Sequence, residues 1–377
     1  MYTTLSIFAR MGDSFVNICR GIQVTKNLKY QLLVGAILSC FLLGFSCDKS
    51  TEPKPVEPTD YPFYLANVIP SELFIFHPMT KKLDSVSIPW LLYPGITASA
   101  DGKLLYIAQG TSVAVVETDS FSLVTELAYP HEYPVVVSPD DQFIALTGDF
   151  LFILRTSDYS LVFSDTIQTI HGRFSSDSKS FYCAFRISPD SSNQVYKVDL
   201  SDNLFSVTRK AFPGRVIVHV VPSVDDSKWF LYSNVALWTS AFDVYDVIRD
   251  SIIFTHILVP GSGSIATTPD GKYVFYTSPG NTATNPPPDF SFTIFDISAN
   301  KIDTIIKDPD FFSDSTWFGP PTSMSVSADG KWLGILGGQM SNYAFYLYDI
   351  DNKKLTYRKA PRPKIYEFTG ITTQQLK

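Results

Sequence analysis

Thr268-Pro269-Asp270-Gly271-Lys272-Tyr273-Val274-Phe275 carries a hydroxyl residue, a spacer, an aspartate, a small turn residue and then an apolar run. Proline presets φ at the second turn position, aspartate accepts nearby backbone N–H groups, and glycine takes the left-handed conformation that follows. The expected product is a tight hairpin between a first strand at 263–267 and a second at 273–277. The same phrase opens at Ser99, Ser138, Ser175, Ser223 and Ser327, with aspartates at 101, 140, 177, 225 and 329. Where glycine is missing, Asp141 tolerates positive φ better than most residues, and Ser178 is a poorer fit. The aspartates read as turn residues rather than acid–base groups.

The six aspartates stand 39, 37, 48, 45 and 59 residues apart, the period of a four-stranded propeller blade. Third strands are expected at 112–117, 152–155, 194–199, 242–246, 292–296 and 344–349, alternating with the period of half-buried strands. Segments remain at both ends. Residues 64–68, 73–76 and 82–88 read as second, third and fourth strands without a first. Phe368-Thr-Gly370-Ile371-Thr372-Thr373 echoes Tyr93-Pro-Gly95-Ile96-Thr97-Ala98, which opens the first full repeat. The fold class is therefore all-β: a seven-bladed propeller over 62–377, its N-terminal blade closed by a strand from the far end of the chain. Closure of that kind leaves no open sheet edge. The 29 Phe and 20 Tyr and the near absence of helix signals agree.

The repeat resembles the YVTN-type propellers, relatives of the WD-repeat family. The resemblance covers 62–377 and lacks the name-giving tetrapeptide; Leu105-Tyr-Ile-Ala, Phe143-Ile-Ala-Leu and Val274-Phe-Tyr-Thr fill the slot. It implies that loops joining fourth to first and second to third strands share one face, around the mouth of a central channel. Seven-bladed relatives include lactone hydrolases and quinone- or haem-dependent oxidoreductases; this chain has no Cys-x-x-Cys-His.

Lys26 and Lys29 precede an apolar stretch at 32–46, too short for the about 20 residues of a spanning helix and suited to a signal-peptide core. It ends in Leu43-Gly-Phe-Ser-Cys47, followed by the polar, proline-rich segment 48–60. This resembles a bacterial lipoprotein signal with Cys47 lipidated; Ile37-Leu-Ser-Cys40 is a competing box whose cleavage would leave Phe41-Leu-Leu-Gly-Phe exposed. The expected organisation is an extension and signal at 1–46, lipidated Cys47 and tether at 47–61, and the propeller beyond. Residues 1–25 fit no targeting pattern. The protein is expected at the bacterial cell envelope, on the periplasmic or cell-surface side, held to the membrane by its lipid alone. The tether spans about 40 Å if extended as polyproline II.

Beyond residue 47 the chain holds 26 Lys/Arg and 36 Asp/Glu, a net of -10, which argues against nucleic acid or anionic lipid as partner. Cys183, the one cysteine after the signal, reads as a small core residue. No histidine pair or cysteine pair has metal-ligand spacing, and no phosphate-cradling glycine loop or nucleophile elbow occurs. No metal and no cofactor are expected.

Two clusters break the repeat. The long loop at 308–322 carries Phe311, Phe312, Asp314, Trp317 and Phe318, either an aromatic platform or a loop packed onto its own blade. His131, Glu132, His171, Arg173, Arg215 and His219 gather at the entrances to consecutive first strands. Counting six back from each aspartate places Gly95, Pro134, His171, His219, Ser264 and Ser323 in equivalent slots, so His171 and His219 should meet across adjacent blades near Arg173. A longer turn at Asp225-Asp226-Ser227 would shift His219 by one residue and turn it to the other face. Imidazole and guanidinium there could bind an anion or act as acid and base, or hydrogen-bond loop carbonyls. Two functions follow. One is a monomeric binding module for an envelope protein, peptide or glycan, using Arg215, His131, Glu132 and the aromatic loop. The other is a propeller enzyme, lactone hydrolase-like or quinone-dependent oxidoreductase-like, with His171, Arg173 and His219 as its catalytic candidates.

Overall fold

The computed structural model describes residues 60–67, 72–88, 95–129, 135–185, 193–201, 205–236, 239–258, 263–278, 291–306, 321–339, 342–359 and 368–373. Residues 1–59 lie outside that set, so the expected signal, Cys47 and most of the expected tether receive no structural account. The rest is a seven-bladed β-propeller of 28 strands in seven four-stranded antiparallel sheets.

Blades 1 to 6 each run from axis to rim in chain order. Their inner strands are β4 (Ile96–Ala98), β8 (Val135–Val137), β12 (Thr169–Phe174), β16 (Val216–Pro222), β20 (Ile265–Thr267) and β24 (Pro321–Val326). Blade 7 takes β28 (Phe368–Thr373) as its inner strand and then β1 (Phe63–Asn67), β2 (Glu72–His77) and β3 (Lys82–Ser87). Ile371 opposes Leu65 and Gly370 opposes Ala66, the closure expected from the terminal echo. Each inner strand touches the next, and β24, β28 and β4 complete the circle. At the start of the described residues, Asp60 is pinned to blade 7 by His77 Nδ1 at 2.8 Å and the Met79 N–H at 3.2 Å.

The core is divided by seams. Seven buried clusters each join two adjacent blades, and together they go once round the ring. Phe63, Phe76, Phe345 and Leu336 lock blade 6 to 7, while Tyr182, Trp229, Phe212 and Tyr245 lock 3 to 4. Each such side chain contributes roughly 1.5–3 kcal/mol, so stability accrues seam by seam. Cys183 is wholly buried in the seam of blades 2 and 3, where burial pushes its thiol pKa far up.

The six turns share one geometry. Gly102, Asp141, Ser178, Asp226, Gly271 and Gly330 all sit at φ between 57 and 73°. Each aspartate accepts the N–H two residues on, as in Lys272 N to Asp270 Oδ1 at 2.9 Å. The opening hydroxyl has a task that spacing did not reveal. Its oxygen accepts the N–H five residues later, 2.9–3.0 Å away, and so staples the hairpin shut.

The three turns without glycine gain something in return for left-handed strain. Asp141 accepts the Ala100 and Asp101 N–H groups of blade 1, and Ser178 Oγ accepts the Asp140 N–H of blade 2. Asp226 accepts from Tyr182 Oη and Lys197 Nζ of blade 3. A second set of turns, between third and fourth strands, also holds left-handed residues, including Phe121 and Tyr159. Such bulky residues rarely go there; packing of both rings against blade seams offsets the strain.

Two expected strands start earlier than their patterns suggested. The third strands of blades 4 and 6 begin at Thr239 and Asn342, because their hairpins continue pairing to Ala236↔Thr239 and Gln339↔Asn342.

Candidate functional site

Asp226 occupies the left-handed slot at φ 57°, so the blade 4 turn is no longer than the others and the register does not slip. His171 and His219 therefore sit in equivalent positions of adjacent inner strands. Their rings stack with centroids 4.0 Å apart and planes 20° from parallel. Local irregularity shapes the pair. In β12, Ile170 opposes Ala184 and Gly172 opposes Cys183, leaving His171 as a bulge residue; in β16 the extra residue is Val218. A bulge re-aims a side chain without breaking the sheet.

Two glycines make room. A Cβ on Gly172 would lie 2.1 Å from Phe181 Cζ, and one on Gly263 would lie 2.2 Å from the Tyr232 ring. The same Tyr232 ring stands edge-on to His219, 6.3 Å away between centroids.

Arg173 lies on β12, the inner strand of blade 3, and is exposed to solvent. Among the described residues no carboxylate pairs with it, and its one hydrogen bond goes to the Gly172 carbonyl at 3.5 Å. Partial desolvation by the surrounding protein lowers its pKa. Desolvation drives the His171 pKa down to about 4, with the Arg173 charge adding to the shift. His219 is held well below its ordinary value by desolvation first, then by His171 and Arg173, while a backbone hydrogen bond to Gly263 works against them. Near neutral pH the site thus holds two neutral imidazoles and one guanidinium.

The corresponding slots elsewhere are small or apolar. Thr97, Val136, Val221, Ala266 and Ser325 stand four residues before their aspartates, where blade 3 has Arg173.

Arg215 is not part of this group. Its guanidinium grips Asp243 with Nε–Oδ2 at 2.8 Å and Nη2–Oδ1 at 3.3 Å. Asp243 lies on β18 (Thr239–Asp246), wholly buried, and also accepts from Ser233 at 3.1 Å and Thr255 at 2.6 Å. These three residues come from the second, third and fourth strands of blade 4, so Arg215 ties the blade 3–4 connection to that sheet. Spacing could not show this, because the partners meet only once strand register is known. His131, Glu132, Phe311, Phe312, Asp314, Trp317 and Phe318 lie outside the described residues. Among the described residues no group of three His, Cys, Asp or Glu side chains could hold a metal ion.

No protein-family model matches this sequence, and no curated protein does. Solved structures do match in shape. Hydrazine synthase of Kuenenia stuttgartiensis superposes with a TM-score of 0.58 at 19% identity, covering 72% of this chain and 88% of the other. The Myceliophteria thermophila Cps50 (Swd1) β-propeller domain gives 0.58 at 11%, covering 73% and 87%. A protein from Desulfotomaculum acetoxidans described as functionally unknown gives 0.61 at 11%, covering 85% and 100%. At these identities the likeness is one of fold. These neighbours include a hydrazine synthase and a β-propeller domain of another protein, so the scaffold alone does not select an activity.

Proposed function

We propose that this protein is a binding module of the bacterial cell envelope, tethered by a lipid on Cys47, which takes its ligand in the propeller channel at the seam of blades 3 and 4. The observation that carries this reading is Arg173, an exposed guanidinium on the inner strand of blade 3 with no carboxylate paired to it among the described residues. Beside two stacked imidazoles, such a guanidinium offers charge-assisted hydrogen bonds to an anionic group of a ligand. The unpaired charge sits in a slot that other blades fill with small or apolar residues.

An enzyme reading uses the same residues as acid and base. It is disfavoured by the imidazoles, since a base works best with its pKa near the operating pH and His171 lies near 4. The neighbouring hydrazine synthase shares the scaffold, at an identity too low to transfer its chemistry.

The test is crosslinking capture from the host envelope with the full chain and with Arg173→Ala. We expect the wild type to enrich a protein, peptide or glycan that the variant loses. Enrichment of nothing, or of the same set by both, would overturn the channel reading. The anchor is tested separately: Cys47→Ala should release the protein from membranes and Cys40→Ala should not.

A further inference from the structure

We propose that the outer edge of blade 3 takes one extended segment of a partner protein as a fifth, antiparallel strand, with a single carboxylate opposite Arg209. This surface is separate from the Arg173 site and independent of it.

In blades 1, 2, 4, 5 and 6 the outer strand gains one residue over its neighbour, the extra ones being Val124, Val162, Ile253, Asp303 and Thr356. Such a bulge twists an edge and interrupts its row of free backbone groups, which keeps other strands off. Blade 3 lacks it. There β15 (Ser206–Ala211) pairs residue for residue with β14 (Gln194–Asp199), from Ser206↔Asp199 to Ala211↔Gln194. Five of the six β15 residues are exposed. Blade 7 also lacks the bulge, but its outer strand β3 carries both signs, with Lys82 Nζ 2.9 Å from Asp84 Oδ2. That edge offers no single charge to select a partner.

The ladder decides which backbone groups of β15 are free. The Phe212 N–H donates to the Asn193 carbonyl at 2.7 Å, one step beyond the Ala211↔Gln194 pair. Antiparallel strands alternate between bonded and unbonded pairs, so Ser206, Thr208 and Lys210 turn their N–H and C=O groups toward β14. Val207, Arg209 and Ala211 turn theirs outward, and among the described residues nothing bonds to them. An antiparallel newcomer, the more stable arrangement, can satisfy all three.

Side chains then specify the newcomer. The Arg209 guanidinium lies over the Tyr196 ring, 5.0 Å from its centroid, and Nη2 donates to Oη at 3.2 Å. Tyr196 in turn donates to Asp165 at 2.7 Å, so the guanidinium is oriented. Among the described residues no carboxylate forms an ion pair with it. A carboxylate on the strand residue directly opposite would have its Cβ about 5 Å from that of Arg209. On the same face Val207 is 37% exposed, and an apolar residue two places along the newcomer would cover it. The chain beyond residue 47 has a net charge of -10, so it repels a run of acidic residues; one carboxylate between apolar residues suits this edge. A second copy would add another Arg209 to the same edge, and like charges across strands destabilise.

The test is fluorescence anisotropy of the full-length protein in detergent with the labelled, end-blocked peptide Thr-Val-Thr-Glu-Thr-Val-Thr. It should bind, and its Gln counterpart should bind about 2- to 5-fold more weakly, the size of an exposed cross-strand ion pair. Methylating the backbone nitrogens of Glu and both Val should abolish binding, because those N–H groups face β15; methylating the Thr nitrogens should not. Arg209→Glu should weaken the Glu peptide about 10-fold and reverse the preference toward a Lys counterpart. Val207→Pro removes an outward N–H without touching the β14 ladder, so it should weaken binding while the thermal midpoint stays near that of the wild type. Should that variant fail to fold, the Arg209→Glu reversal still decides. No binding of the Glu peptide, equal tolerance of both methylation patterns, or an unchanged charge preference in Arg209→Glu would each overturn the proposal. So would self-association that Val207→Pro abolishes, which would give the edge to a second copy.

Discussion

The seam between blades 3 and 4 and the seam between blades 5 and 6 grow from one repeat and are finished differently. In blades 5 and 6 the first-strand slots hold Ser264 and Ser323, and the turns close on Gly271 and Gly330. Aromatic and aliphatic side chains fill the gap, Tyr348 against Phe292 among them, and the ion pair across it is Lys353 with Asp303 at the surface. In blades 3 and 4 the same slots hold His171 and His219, and the turn closes on Asp226, which reaches back to Tyr182 and Lys197. One seam is held mainly by burial. The other combines burial with polar links on the turn side and charged, titratable groups beside the channel. A repeat can thus keep its shape while one pair of blades is given over to chemistry.

The contrast breaks most sharply at its buried charge. Asp243→Ala strands Arg215 and removes four hydrogen bonds, and should cost about 3–5 kcal/mol by urea unfolding. Asp303→Ala at the other seam removes an exposed pair and should cost at most about 1 kcal/mol. Equal losses would mean that the two seams are not held differently.

Acid should act next. Burial lowers both stacked imidazoles, so between their folded pKa and the unfolded value of about 6.5 the unfolded chain binds the protons that the folded one refuses. Stability therefore falls as pH drops below about 6.5, and for His171 the loss is complete near 4, amounting to roughly 3 kcal/mol. His256, also lowered by burial, adds to the same window. The carboxylates held below their usual range in the turns, such as Asp225, act only at lower pH. Replacing both stacked histidines by Gln should flatten the midpoint between pH 6.5 and 4; an unchanged slope would remove them as its source.

Glycine substitutions come third. Gly172→Ala pushes on buried Phe181 and should cost about 1–3 kcal/mol, whereas at Gly330 the nearest atom is 3.6 Å off and Ala pays only for left-handed φ, about 1 kcal/mol. The smallest effect is expected at Asp226→Gly. It relieves strain but leaves the Tyr182 hydroxyl without its acceptor, a net loss of about 1 kcal/mol by thermal unfolding.

The blade count was legible because each turn encodes itself within five residues, as does the echo that closes the ring. What crosses blades was not. Asp141 read as a tolerable turn residue, Ser178 as a poorer fit and Asp226 as part of a turn of open length; only the fold shows that all three bond the preceding blade. Equal offsets from the turn aspartates did predict that His171 and His219 would meet. They could not predict the bulge at His171. Arg215 looked equivalent to Arg173 in type and place; its partner Asp243 lies 28 residues on, across two strands. The left-handed Phe121 and Tyr159 carry no local signal, since aromatic residues there depend on packing alone.

The pairing of β1 with β28 joins residues some three hundred positions apart. A chain emerging in order can complete six sheets as it is made, yet the first strand of the domain keeps one side unsatisfied until residues 368–373 are available. Contacts of such separation form late, after a large entropic cost of loop closure. The N-terminal end of the domain is thus the part that waits longest for its partner, and a chain stopped short of residue 368 would present β1 to any other strand it met.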